Sequence, residues 1–286
     1  MSRDTLKLRM VPIALTIAGS DPGGGAGIQA DLKTFHQLGV YGTAAITLIT
    51  IQNTTRVSLV QTLDAALVAG QIDAILEDLP PQAAKTGALG SVAIVEAVAS
   101  RWATFKTCQS RSSDCPLVVD PVMMGKHGAP LIDRSARAAM RDLLVSKAAL
   151  VTPNLHEAAE LAGMRVRNPD EMKEAALRIA RLGARAVLVK GGHLEGPGFE
   201  TATVDVLYEN GVFTEFRTLR IDTRHTHGTG CTYSAAITAF LARGVPMPDA
   251  VARAKRFIDE AIRTNPGLGA GAGPVNHWAD PERQSS

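Results

Sequence analysis

Ala14-Leu-Thr-Ile-Ala-Gly-Ser-Asp-Pro-Gly-Gly-Gly-Ala-Gly-Ile28 is an apolar run, a turn holding five glycines and the start of an amphipathic segment. The apolar part, Val11 to Ala18, is far short of the roughly 20 residues that span a bilayer. It leads into Gly19-Ser20-Asp21-Pro22, which is turn chemistry and no cleavage site. A buried strand is the reading. Beyond the turn, Ile28, Leu32, Phe35 and Leu38 fall on one face at helical spacing, and Gly39 closes that segment.

The same strand-then-helix unit recurs along the chain. Further strands are expected at Ala44 to Ile51, Ala83 to Thr86, Leu117 to Asp120, Leu150 to Thr152, Ala186 to Lys190, Ala202 to Tyr208 and Val212 to Arg217. Most are nearly all apolar, as strands covered by helices on both faces are. Helices are expected over Pro169 to Leu182, with Met172, Ala176, Ile179 and Ala180 on one side, and over Thr232 to Ala242, which is apolar almost all round and so belongs inside the body. The alternation predicts a three-layer α/β/α fold with a mostly parallel central sheet. No internal repeat or low-complexity linker divides the 286 residues, so a single domain over 1–286, with an ordered core of about 12–277, is the expectation. The Gly267 to Gly273 stretch precedes a terminus expected to be partly mobile.

Composition excludes several classes. Hydrophobic residues make up 45% and charged residues 20%, with a net charge of +2 and 4% aromatics. This is a packed, soluble body with neither a phosphate-backbone footprint nor a base-stacking platform, so no nucleic acid and no membrane partner are expected. Three cysteines suit reduced thiols in the cytoplasm better than a disulfide framework. Cys108 and Cys115 bound a polar stretch that reads as a surface loop.

Five runs carry candidate chemistry. In the first glycine turn, Gly25, Gly27 and Ala30 fit G-x-G-x-x-A, but the next strand ends in Gln52 and Asn53, with no acidic group for a ribose. Either it is a bare turn, or a substrate approaches its backbone with Asp31 as a polar contact. Gln52, at the end of the second strand, offers a donor and an acceptor to a heterocycle edge; a plain strand-ending turn is the alternative. Asp120-Pro-Val-Met123 and Pro153-Asn-Leu-His-Glu157 follow neighbouring strands, where Asp120 and Glu157 can hold Mg²⁺ directly or through water. Asn154 and Glu157 equally form a capping-box pair. Finally, His225-Thr-His-Gly-Thr-Gly-Cys-Thr232 opens the buried helix, whose first N–H groups make an anion hole. Cys231 is placed there to take a hydroxyl proton, provided the helix terminus and a nearby cation lower its pKa. A packing cysteine, or zinc held by His225, His227 and Cys231, are the competing readings. No Walker A loop exists, since Gly125-Lys126 is followed by His127.

Taken together, from about Pro12 to His277, the chain resembles the hydroxymethylpyrimidine and phosphomethylpyrimidine kinases, within the ribokinase-like superfamily. The resemblance is carried by Ala18-Gly-Ser-Asp-Pro22, Gly24-Gly-Ala-Gly-Ile-Gln-Ala-Asp-Leu-Lys-Thr34, Gln52-Asn-Thr54, Asp120-Pro-Val-Met123, Thr152-Pro-Asn-Leu155, Val189-Lys-Gly-Gly-His193, Thr226-His-Gly-Thr-Gly-Cys231 and Gly273-Pro-Val-Asn-His277. It implies two phosphoryl transfers from ATP, to 4-amino-5-hydroxymethyl-2-methylpyrimidine and then to its monophosphate, in thiamine biosynthesis, and a homodimer formed around a small lid. It also implies that Gln52, Gly19, Asp31 and Val122 surround the pyrimidine, with Asp120 and Glu157 organising Mg²⁺. Lys190, with Asn154 and Thr226, would lie on the nucleotide side, Gly228, Thr229 and Gly230 would form the anion hole, and Cys231 would be the base.

One departure concerns the substrate. Where the family usually has Met, this chain has Ala88, which either enlarges the pocket or lets Met123 or Met124 fill it. The loop from about Phe105 to Pro116 is also longer than the family norm. Two other functions compete: a pyridoxal kinase of the same superfamily, compatible with Ala88, and a non-catalytic pyrimidine-sensing protein that kept the fold.

Overall fold

The structure, a computed structural model, describes residues 11–108, 115–125, 128, 130–192, 194 and 199–280. Lys126, His127, His193 and the interior of the cysteine loop, 109–114, lie outside the described residues, as does the end of the tail, 281–286.

The opening unit folds as β1 (Ile13–Ser20), the glycine turn and α1 (Gly27–Gln37). β1 is buried along six consecutive residues. Leu15 and Ile17 enter one core and Ala14 the other, as the two-residue period of a strand requires. β2 (Tyr41–Gln52), β4 (Ala83–Thr86), β5 (Leu117–Val119), β6 (Leu150–Val151) and β7 (Ala186–Lys190) complete a parallel block in the order β2-β1-β4-β5-β6-β7. Antiparallel strands flank it: β3 (Val57–Thr62) beside β2, and β8 (Ala202–Glu209) with β9 (Val212–Leu219) beside β7. Asn210 and Gly211, both at positive φ, turn the last hairpin, the combination such a tight turn demands.

Helices cover both faces. α2 (Ala65–Asp78), α3 (Val92–Cys108), α4 (Arg134–Leu143), α5 (Leu155–Ala162) and α6 (Pro169–Ala180) enclose a core that includes Ile72, Ile94, Met140 and Met172. On the other face α1, α7 (Thr229–Ala242) and α8 (Met247–Arg263) pack Phe35, Phe240 and Phe257. No helix among the described residues is long and apolar enough to cross a membrane.

Two features depart from what the sequence predicts. β3 was not expected, because Ser58, Leu59 and Gln61 are exposed and the segment lacks a buried face. Cys115 is 2% exposed rather than part of a surface loop; its Sγ–H donates to the Pro81 carbonyl, because the chain is already entering β5 there. The expected order to about residue 277 extends slightly further: Ala272 N–H donates to Thr54 O at 2.9 Å, and Gln37 donates to the Ala279 carbonyl.

β1 lies between β2, the next strand in sequence, and β4, where the chain resumes on the other side. Ligands in open α/β sheets bind outside the carboxyl ends of the strands at such a switch point.

Candidate active site

Those strand ends line a cleft of about 590 Å³, into which α7 points its N-terminus. The first wall is the glycine turn after β1. Asp21 is nearly enclosed and organises it: Oδ1 accepts from Gly23 N–H at 2.8 Å, and Oδ2 from Gly25 at 3.1 Å and Ala26 at 2.9 Å. His227, from the loop before α7, donates through Nε2 to the same Oδ2 at 2.8 Å. Burial alone would raise this carboxyl, but hydrogen bonds from His227 and Gln52 and the charge of His227 hold it down to about 2. Asp21 therefore fastens one glycine loop to the other as a carboxylate. Asp21→Ala would strand these donors together; about 3 kcal/mol of stability should be lost, with a clear fall in melting temperature by calorimetry.

The second wall is the start of α7. Gly228 occupies the N-cap with φ +78°, and a Cβ there would collide with the Gly25 carbonyl. Only glycine lets the two backbones meet so closely. The N–H groups that follow, at Thr229, Gly230 and Cys231, belong to the first turn of the helix, where no intrahelical acceptor exists. Lys190 Nζ lies 3.4 Å from the point that a Cβ on Gly230 would occupy, so a cation flanks the helix start.

The third wall comes from β5, β6 and β7. Asp120, 2% exposed, accepts from Thr152 and Lys190 at Oδ1, each at 3.1 Å, and from Ser234 of α7 at Oδ2, also at 3.1 Å. Glu157 forms the capping box with Asn154: Asn154 N–H donates to Glu157 Oε2 and Glu157 N–H to Asn154 Oδ1, both at 2.9 Å. Burial, and the charge of Asp120 against the pull of Lys190, push Glu157 up to about 7. The capping-box reading of Asn154 and Glu157 is met.

Gln52, Gly19, Val122, Ala88, Asn154, Thr226 and Lys190 all border this cleft, with Asp120, Glu157 and the Gly228 to Cys231 turn. Asp31 does not. Its side chain points into the protein, where Oδ2 accepts from Thr16 at 2.6 Å and Oδ1 pairs with Lys85 at 2.8 Å, both partners fully enclosed. The expected direct contact of Asp31 with substrate is therefore not what the structure shows; its partner Lys85 borders the cleft instead. Met123 is core, whereas Met124 borders the cleft together with Ala88. The zinc alternative fails among the described residues, which contain no cluster of three metal-ligating side chains, and His227 is spent on Asp21.

The pKa of Cys231 also runs against the expectation. Burial raises the thiol to about 11, with Lys85 pulling against it. A neighbouring cation does act there, but desolvation, with the charges of Asp31 and Asp120, outweighs it. Behind the first turn of α7, His277 of the tail is buried. Burial pushes it down to about 4, and its neutral ring shares a hydrogen bond with Thr232 Oγ1 at 3.1 Å.

The start of α7, with its first-turn N–H groups, opens on this cleft beside a lysine and two carboxylates at the switch point. On this sheet that makes the protein a small-molecule kinase of the ribokinase-like class. The family model of phosphomethylpyrimidine kinase matches residues 21–276, and the chain belongs to that family. It is 47% identical over 263 residues to the thiamine biosynthesis bifunctional protein ThiED of Geobacter sulfurreducens, covering 92% of this chain and 51% of that longer protein. It is 46% identical to the hydroxymethylpyrimidine/phosphomethylpyrimidine kinase of Synechococcus elongatus, over 94% of this chain and 98% of the relative. Among solved structures, Bacillus subtilis pyridoxal kinase in its ADP complex superposes with a TM-score of 0.84 at 38% identity, covering 94% of this chain and 98% of the other.

Proposed function

We propose that this protein transfers the γ-phosphoryl group of ATP to the hydroxymethyl oxygen of 4-amino-5-hydroxymethyl-2-methylpyrimidine, and a second one to the resulting monophosphate, in thiamine biosynthesis. The observation that carries this reading is the shared wall of the cleft: Asp21 joins the Gln52 side of the pocket to the loop that leads into the anion hole. A heterocycle paired with Gln52 would present its substituent toward Gly228 to Cys231. Lys190, Asn154 and Thr226 would hold the nucleotide, Gly228, Thr229 and Gly230 the transferring group, and Gly19, Val122 and Ala88 the pyrimidine.

The donors fit Mg²⁺. Asp120 and Glu157 supply hard oxygens, and because Thr152, Lys190 and Ser234 already donate to Asp120, the fit is best through the water shell that this ion keeps. When bound, Mg²⁺ would neutralise charge on the phosphate oxygens. One sheet from β1 to β9 supports a single kinase domain, and the free thiols of Cys115 and Cys231 suit a reducing cytoplasm. Ile49, Ile51 and Leu59, all exposed on the β2–β3 hairpin, support a homodimer through that edge; sedimentation of the wild type against Ile51→Asp tests it.

The deciding assay measures ADP release from Mg-ATP with the pyrimidine, its monophosphate and pyridoxal in parallel. Turnover on both pyrimidines supports the reading, while binding without turnover on any of them replaces it with a sensing role. A pyridoxal kinase is the second reading. It is favoured by the likeness to the Bacillus subtilis pyridoxal kinase, and Ala88 on the cleft wall is compatible with it. Ala88→Met should lower any pyridoxal turnover by about tenfold, the scale of a methylene-sized clash or two, and leave the pyrimidine reaction within a few fold.

A further inference from the structure

Gln52 stands on an arm that has left the parallel block. The pairing of β2 with β1 ends at Ile49 and Ser20, and Thr50, Ile51 and Gln52 pair with β3. A two-stranded ribbon is marginal without further packing. At the tip of this arm the packing comes from the far end of the chain. There the tail, residues 267–274, crosses the turn as a strap: Ala272 N–H donates to the Thr54 carbonyl at 2.9 Å, and Gly271 N–H to Thr54 Oγ1 at 3.3 Å. A Cβ on Gly271 would overlap that carbonyl, although the φ of this glycine is ordinary. Two residues on, the Gly273 carbonyl accepts from His227 N–H at 3.0 Å, and Pro274 forms a parallel bridge with His227. A Cβ on Gly273 would overlap the His225 ring, and one on Gly25 would meet Pro274 at 3.1 Å. The strap is anchored at both ends on α8, where Asn265 and Asn276 donate to the Ile262 and Ala261 carbonyls.

We propose that this strap positions the two halves of the site for reaction: it fixes the arm that carries Gln52 against the loop that leads through His227 into α7, and Gly271 and Gly273 are its points of contact. The inference rests on the proposed function, in which Gln52 holds the pyrimidine and Gly228 to Cys231 face the transferring group. Asp21 ties the same two walls from inside the cleft, through the His227 ring. The strap ties them from outside, through the His227 backbone. It touches no reacting atom, so Gly271, Gly273 and Thr54 are positioning residues. Their effect is geometric, because the acceptor oxygen must meet phosphorus in line and a misplacement of about 1 Å can cost about 10²-fold.

Gly271→Ala drives a methyl between the strap and Thr54 at an ordinary φ. It should raise the KM for the pyrimidine about tenfold, the scale of one well-placed hydrogen bond, and leave the KM for ATP within a few fold. A tail that merely covered the sheet would lower the melting temperature and leave both constants unchanged in the folded enzyme. Should Gly271→Ala fail to fold, Thr54→Val is the milder cut. It keeps the side-chain shape, removes the acceptor of the Gly271 N–H and should raise the same KM about threefold, while Thr54→Ser restores it. Hydrogen–deuterium exchange without any ligand reads the coupling itself: in either variant it should quicken both at the turn after Gln52 and at His227. Quickening confined to the strap and that turn, or an unchanged pyrimidine KM in folded Gly271→Ala, overturns the proposal. Exchange that quickens at both walls in a protein that phosphorylates neither pyrimidine would uphold the strap and reject only the substrate reading.

Discussion

Gly228→Ala lowers turnover by about 10³-fold and destabilises the fold, and the two effects have one cause. At φ +78° an alanine costs about 1–2 kcal/mol from its own backbone. Its Cβ would also occupy the place of the Gly25 carbonyl, so the loop before α7 must withdraw from the first glycine turn. That withdrawal breaks the contact that sets the N–H groups of Thr229, Gly230 and Cys231 against the cleft. Losing one well-placed donor to a developing anion costs about 10²–10³ in rate, and here the donors move together. Gly230→Ala is the contrast. Its Cβ would meet the end of the flexible Lys190 side chain at 3.4 Å, and the φ of this glycine is ordinary. Gly230→Ala should keep the wild-type melting temperature and lose less activity, mainly through the nucleotide KM. Equal losses in the two variants would mean that the loop contact does not organise the anion hole.

What the sequence made legible was local. The apolar run into a glycine turn, the apolar strands ending in Gln52, Asp120 or Lys190, and the glycine-rich helix start each announce themselves within a dozen residues. Those strand ends do converge on one cleft. What stayed hidden depends on partners far along the chain. Asp21 looks like a turn residue until His227, 206 positions away, docks on it. Asp31, one turn into α1, looks as able to face a ligand as to face the sheet. The choice is made by Lys85, 54 residues on, whose charge must be matched once β4 lies beside β1. β3 escaped because an exposed edge strand carries no buried stripe to read. The Cys231 thiol was misjudged for a related reason: a helix terminus and a cation are visible in a motif, whereas the burial that outweighs them belongs to the assembled cleft.

Cys231→Ala separates the two phosphoryl transfers. The first acceptor is an alcohol, whose proton has to leave as the oxygen attacks phosphorus, so a base has work to do. The second acceptor is a phosphate monoester with a second pKa of about 6, already ionised near neutrality, and it needs none. Removing the thiol should therefore lower kcat for the first transfer by about 10³-fold, within the range of positioned proton transfer, and leave the second within a few fold, with the KM for ATP little changed. The pH dependence follows from the same thiol. With its pKa raised to about 11, the wild-type free enzyme carries little thiolate at neutrality, and that fraction grows about tenfold per pH unit up to that value. The first transfer should quicken with rising pH across the neutral and mildly alkaline range, and the second should stay flat above about pH 7 once its acceptor is ionised. Full first-step turnover in Cys231→Ala would take the proton away from the thiol and give it to Asp120 or to solvent. Equal losses in both steps would point to the other property of this residue, its place in the first turn of α7, where a side chain can hold the anion-hole backbone without ever touching a proton.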